Sequence, residues 1–230
     1  MVNLRTSSEP EGRTRRGLAS PLTEISLVVL CVLVAEWAVL PFFGRNYLVG
    51  LIPVGAAFAF MLLSHRACRE SAREVGWRVD NLWRALRLLL PPMLVAALFL
   101  ALVGWLSGSR RVGGLRASWA LASTYFWMFV WGLVQQYPLQ GFINRRAQMV
   151  WGRGARSTLF VASTFALLHL PNPWLTLATF CGGLLWAWAY QREPNLIALA
   201  VSHSLMTVVL VTTVPYSWLG GMRVGYGYFL

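Results

Sequence analysis

The stretch ISLVVLCVLVAEWAVLPFF, residues 25–43, decides the fold class of this chain. Its only charged residue is Glu36, and no small-residue cleavage site follows it. It is too long for a signal-peptide core, so it reads as a permanent membrane span. Further apolar runs lie at about 47–64, 86–106 and 119–142, then a shorter one at 157–170, and two more at 174–190 and 195–214. A hydrocarbon core roughly 30 Å thick takes about 20 helical residues. The 157–170 run is therefore short, and Pro171-Asn172-Pro173 behind it marks a break or tight turn. The expectation is all-α: a polytopic membrane bundle of about seven transmembrane helices.

Composition points the same way. Of 230 residues 57% are apolar and 12% charged, against roughly 25% charged in a soluble domain. With a mean hydropathy of +0.56, too little polar surface remains to cover a soluble core. A net charge of +12 ordinarily points to nucleic acid. Here every basic residue is an arginine placed between apolar runs rather than along one face, so the partner implied is the lipid bilayer and no nucleic acid. With the N-terminus cytoplasmic, inside segments hold Arg5, Arg13, Arg15 and Arg16, the six arginines from Arg66 to Arg87, then Arg145, Arg146, Arg153, Arg156 and Arg192. Outside segments hold only Arg45, Arg110, Arg111, Arg116 and Arg223. That asymmetry predicts a multi-pass plasma-membrane protein with its N-terminus inside.

The domain reading follows: a polar cytoplasmic tail at 1–23, a bundle at 24–214 and a tail at 215–230 with no identifiable job. Within the bundle, 65–87 reads as a basic amphipathic helix at the interface. Cys31 and Cys181 fall inside apolar runs and read as small buried hydrophobes, while Cys68 sits in the basic linker. Trp105, Trp119, Trp151, Trp174 and Tyr216 fit an interfacial belt. Trp127, Trp131, Trp186 and Trp188 read as core or lipid packing before any groove, and Gly182-Gly183 as a place of close helix approach.

Polar side chains are costly inside a bilayer and mark function by default. Those present are Glu36, Gln135, Gln136, Gln140, His169 and His203. At 1.5 Å per residue, Glu36 and His169 each lie roughly 18 Å from the inner end of their span, His203 about 12 Å and Gln135 about 10 Å. Four helices can therefore bring polar groups to one layer. Two imidazoles and a carboxylate, if they meet there, have the ligand types of a zinc site with an open position, with His169 and His203 as the metal ligands. They can equally work without metal as a base and oxyanion stabilisers.

WGLVQQYPLQGF, STFALLHLPNP and NLIALAVSHSLMT resemble, in order and spacing, the three motifs of the CPBP family of intramembrane endopeptidases, also called the CAAX-protease and bacteriocin-processing family. The resemblance covers about residues 75–215. In the first motif Gln135, Gln136, Gln140 and Gly141 stand where the family has two glutamates, an arginine and a glycine. Phe165 and His169 match the second motif. His203 matches the third, with Thr207 in place of the usual Asn. The resemblance implies endoproteolysis of a membrane-anchored or lipidated protein, in which the family glutamate activates water while the histidines and Asn place it and stabilise the oxyanion.

Glutamine cannot do the base's work, because its amide does not accept a proton near neutral pH. Nor can Gln140 supply the positive charge of the arginine. Two readings stand open. In one, the carboxylate has moved to Glu36, whose alternative role is that of a protonated residue bonded to a neighbouring helix. In the other, the chain is a pseudoprotease that binds a membrane-anchored segment or a partner protease. A small-solute transporter is the weaker third class, since no internal repeat accompanies the single span acid.

Overall fold

The computed structural model describes residues 17–44, 47–108 and 119–230. The tail reading of residues 1–16, the arginines at 45, 110, 111 and 116, and the side chain of Trp119 lie outside the described residues.

The described chain is helical throughout and contains no strand. Helix α1 (Pro21–Val34) starts on Ser20, whose Oγ accepts from Thr23 N, with Pro21 in its first turn. It passes through a π turn (Ala35–Val39) into α2 (Leu40–Phe43). Helix α3 (Tyr47–Ala67), the short α4 (Ala72–Val75) and α5 (Leu82–Leu106) follow. Helix α6 (Trp119–Gln136) runs through a second π turn (Tyr137–Asn144) into α7 (Arg145–Trp151). Then come α8 (Ala155–Leu167), α9 (Pro173–Arg192), α10 (Leu196–Thr213) and α11 (Tyr216–Leu219). The starts of α9 and α10 are set by asparagine caps: Leu175 N donates to Asn172 Oδ1 and Ala198 N to Asn195 Oδ1. Helices satisfy their own backbone groups, as hydrocarbon demands.

Four stretches, Pro21–Phe43, Leu48–Ala67, Leu82–Leu106 and Leu196–Thr213, are long and apolar enough to cross a membrane. Their outward faces are apolar too. On α5, Leu98 is 72% exposed and Phe99 62%, which water would not tolerate over such a length but lipid does. The chain is therefore a multi-pass membrane protein. Helix α8 is as short as its apolar run predicted.

Segment ends meet in alternation, as expected for a chain that runs back and forth. At one end Glu24, Ser64 and Arg146 come together from α1, α3 and α7, and Asn81 reaches Glu193 and Asn195. At the other, Asn172 reaches Leu219. The segment 65–87 is not one amphipathic helix. It comprises the end of α3, a turn, α4 with a Ser71–Glu74 capping box, a loop and the first turns of α5. Gly76, with φ +105° and its carbonyl accepting from Leu196 N, ends α4 and ties the loop to α10.

The cysteine reading is also corrected. Cys181 is exposed on α9, Cys31 half-buried, and the buried one is Cys68. Of the two adjacent glycines, Gly183 lets α9 approach α8: a Cβ there would stand 2.9 Å from Ala162 Cα. Gly182 instead lies against the Trp186 ring of its own helix. Gly183→Val is expected to cost about 1–3 kcal/mol through overpacking, read as a fall in melting temperature in detergent. Gly55→Val, with nothing within 4 Å of its position, serves as the control that should not show it.

Candidate active site

Phe165 neighbours both histidines predicted from the spans. Its ring lies edge-on to His169 at 4.7 Å between centroids and to His203 at 6.1 Å. His169 sits just past the end of α8, where its Nδ1–H donates to Phe165 O at 2.7 Å. A carbonyl can only accept, so in the neutral ring Nε2 is left bare as an acceptor. His203, on α10 and 8% exposed, is held differently. Gln136 Nε2 donates to its Nδ1 at 3.0 Å, which places the ring proton on Nε2. One imidazole thus presents an acceptor and the other a donor.

Trp186 lies flat on His203, 4.5 Å between centroids and 6° between planes. Its Nε1–H donates to Ser202 Oγ, which in turn meets Met93 Sδ at 3.0 Å. In the sequence Trp186 reads as core or lipid packing, and Ser202 carries no role. The usable signal was spacing, since Gly183, Trp186, Ala187 and Tyr190 share one buried face of α9, whereas Trp188 is only partly buried and lies under Arg192.

The motif-1 glutamines separate. Gln136 is fully buried and reaches His203, while Gln135 is half-buried and makes no hydrogen bond to the histidines. Gln140 faces another neighbourhood: its Oε1 accepts from Asn144 Nδ2 at 2.7 Å. Asn144 continues to Ala187 O, Gln148 and Gln191, and Gln191 to Ser157 and Gly154 N. Gln140 is thus part of a buried row of amides. Thr207 lies one turn beyond His203 and is half-buried.

Both stretches that carry candidate residues leave the regular α ladder. Gln140 lies within the π turn Tyr137–Asn144, which begins directly after Gln136, and Glu36 lies in Ala35–Val39. Such π turns are frequent at functional sites. Pro138 and Pro41, each without an N–H, fall in or just after them. Glu36 Oε2 is buried with no hydrogen-bond partner. No hydrogen bond joins Glu36 to His169 or His203, and Gly225 packs against its backbone and Cβ.

The donor set does not fit a zinc site. Among the described residues no group of three or more His, Cys, Asp or Glu is placed to hold a metal ion. The two imidazoles lack a carboxylate joined to them, so no step is derived through a metal.

A second polar cluster escaped sequence reasoning, which took its arginines as loop charges. Arg146, 1% exposed, donates to Glu24 Oε2 (2.6 Å), Glu70 Oε2 (3.0 Å) and Ser64 Oγ (2.9 Å). Arg145 Nε donates to Glu70 Oε1 (2.9 Å) and its Nη1 to Glu74 O. His65 Nδ1–H donates to Glu70 Oε2 at 2.6 Å. Burial alone would raise the Glu70 carboxyl, but the His65 hydrogen bond and the Arg145 and Arg146 charges overcome it and hold it at about 2. A lowered carboxyl contributes stability above its unfolded value of 4.5 that is lost as pH falls toward 2. The amount is on the order of 3 kcal/mol. Melting temperature in detergent is expected to hold down to about pH 5 and then fall steeply; Glu70→Gln should flatten that fall.

Residues 117–209 match the family model of the type II CAAX prenyl endopeptidase, Rce1-like, proteins. The matched segment holds Gln135, Gln136, Gln140, Phe165, His169, Trp186, His203 and Thr207, and leaves Glu36 and the Arg146 cluster's Glu24 and Glu70 outside it. No curated protein and no solved structure matches the chain.

Proposed function

We propose that this multi-pass membrane protein, whose residues 117–209 match the Rce1-like CAAX prenyl endopeptidase model, cleaves a membrane-anchored or lipidated protein within the bilayer of the plasma membrane. The observation that supports this most is the pair of imidazoles that both meet the Phe165 ring, His169 with Nε2 bare as an acceptor and His203 with its proton on Nε2. His169 Nε2 takes a proton from water as the water oxygen attacks the scissile carbonyl carbon. His203 Nε2–H donates to the oxyanion that forms, and the Thr207 hydroxyl, one turn on, offers a second donor where the family has Asn. His169 then passes its proton to the leaving amine as the C–N bond breaks, giving a new carboxyl and a new amino terminus. Gln136 fixes the His203 tautomer, the stacked Trp186 fixes its plane, and the aromatic wall keeps bulk water out. Glu36 has no bond to either ring, so the base is assigned to His169.

A second reading is that the chain binds such a segment, or a partner protease, without cutting. It is favoured by a separate observation: the motif-1 positions are amides, and Gln136 Oε1 and Gln140 Nε2 are buried without a partner. Each atom keeps an unmet hydrogen-bonding capacity next to the histidine layer or the amide row.

The test compares the protein termini of a deletion strain with strains restored by wild type, His169→Ala or Glu36→Gln at matched levels. Termini that need the wild type, survive Glu36→Gln and vanish with His169→Ala support the proposal. Their loss with Glu36→Gln would move the base to Glu36. Termini restored equally by all three, or no difference between strains, would sink cleavage and leave the binding reading.

A further inference from the structure

Residues 216–230, to which the sequence assigned no job, fold back as a strap across the end of the bundle that carries His169. Gly225 N donates to Leu170 O at 2.8 Å, the carbonyl next to His169. Asn172 Nδ2 donates to two main-chain carbonyls of the strap and its base, Leu219 O at 2.7 Å and Arg223 O at 3.2 Å. Trp218 stacks on Trp174 at 4.6 Å, and Phe229 tilts against Trp37 at 6.5 Å. Between these anchors the strap is pinched. A Cβ on Gly225 would lie 2.8 Å from Glu36 Cβ and 2.9 Å from Glu36 O, and its φ is +56°. Glycine is required there for space and for conformation alike.

We propose that the π turn 35–39 and the turn 168–173 are the two walls of a peptide-docking groove, which the strap occupies in cis as an autoinhibitory cover. The ligand that replaces the strap is a membrane-anchored peptide segment with a glycine at the pinch. The walls bind main chain rather than side chains, through the Leu170 carbonyl as acceptor and the Asn172 amide as donor, so they suit a peptide of any flanking sequence. The pinch supplies the selectivity, because it admits only a residue without a Cβ. The strap is built to leave: Gly220, Gly221 and Met222 have successive φ of +51°, +65° and +61°, a hinge in which the non-glycine residue is strained. Beyond it, Tyr226 and Phe229 are 37% and 65% exposed, so few buried side chains hold the cover down. The groove ends beside His169, so the consequence for cleavage rests on the function proposed above, whereas docking itself does not.

The experiment uses the full chain in detergent or nanodiscs, with two readouts that need no turnover. Trypsin cleavage after Arg223 reports release of the strap. Modification of Glu36 by dicyclohexylcarbodiimide, which reacts with membrane-embedded carboxyls, reports uncovering of the groove, with Glu36→Gln as the blank. Wild type should be slow in both. Gly225→Val is expected to speed both at least about tenfold. Phe229→Ala, which frees Trp37 without touching the core, should move both in the same direction and guards against misfolding of the first variant. The synthetic octapeptide RVGYGYFL, added to Gly225→Val protein, should restore slow Glu36 modification, and the same peptide with valine at its first glycine should not. Faster trypsin cleavage with unchanged Glu36 modification would overturn the cover. Equal protection by both peptides, or by neither, would overturn the glycine-selective groove. Peptide protection without His169-dependent termini would sink cleavage and leave the groove standing; the reverse pattern would sink the groove alone.

Discussion

Replacing Arg146 with alanine is expected to be the most damaging single change in the protein, lowering its stability by about 3–5 kcal/mol. The guanidinium is 1% exposed and holds two carboxylates, Glu24 and Glu70, that are themselves shielded from solvent. Removing it leaves Glu24 buried with no cation and Glu70 with only Arg145 and His65 to offset its charge. Arg145→Ala should cost less, since that side chain is 18% exposed and Glu70 would keep Arg146 and His65. The decisive comparison is a triple variant, Arg146→Met with Glu24→Gln and Glu70→Gln. By removing all three charges together it should recover a large part of the lost melting temperature. If Arg146→Ala melts with the wild type, or if the triple variant is no better than the single one, the buried charges do not govern stability.

His169→Ala is expected to lower the cleavage rate about 10²–10⁴-fold, the usual contribution of a positioned general base. It should leave the fold intact, because the side chain's one hydrogen bond is to a carbonyl of its own helix. His203→Phe keeps a ring against Trp186 but removes the donor, and a loss on the order of 10²-fold is expected, as for an oxyanion-hole donor. Trp186→Leu acts through His203 and should lower turnover less, with a wider spread of His203 ring orientation seen by NMR. The measurement is single-turnover cleavage of a membrane-anchored substrate drawn from the termini comparison. A His169→Ala enzyme as fast as wild type would end the assignment.

Much of this site was legible in the chain. Polar residues inside apolar runs are rare enough to be conspicuous, and helical rise alone brought Gln135, beside Gln136, and His169 and His203 to neighbouring depths. Helical rise also brought Glu36 to that depth, yet the folded chain inserts Gly225 against it, because depth along a span carries no information about direction around the bundle axis. Gln135 and Gln136 are adjacent in sequence and equal in chemistry. Only Gln136 faces α10, since neighbouring helical residues point about a quarter-turn apart.

By itself, the sequence determined an all-helical membrane protein, the order of its apolar runs and the three motifs that carry the CAAX-protease-like match. Those features are local: hydropathy over about 20 residues and spacing of four along a helix need no knowledge of neighbours. Tertiary structure alone decided that loop-like arginines are the buried centre of an ion cluster and that a polar-looking linker is a set of short capped turns. It also decided that the final residues lie against the turn that carries His169 and against Glu36. Each of these depends on which side chains arrive from segments many residues away. An arginine reads the same in sequence whether it meets headgroups or, as Arg146 does, two buried carboxylates.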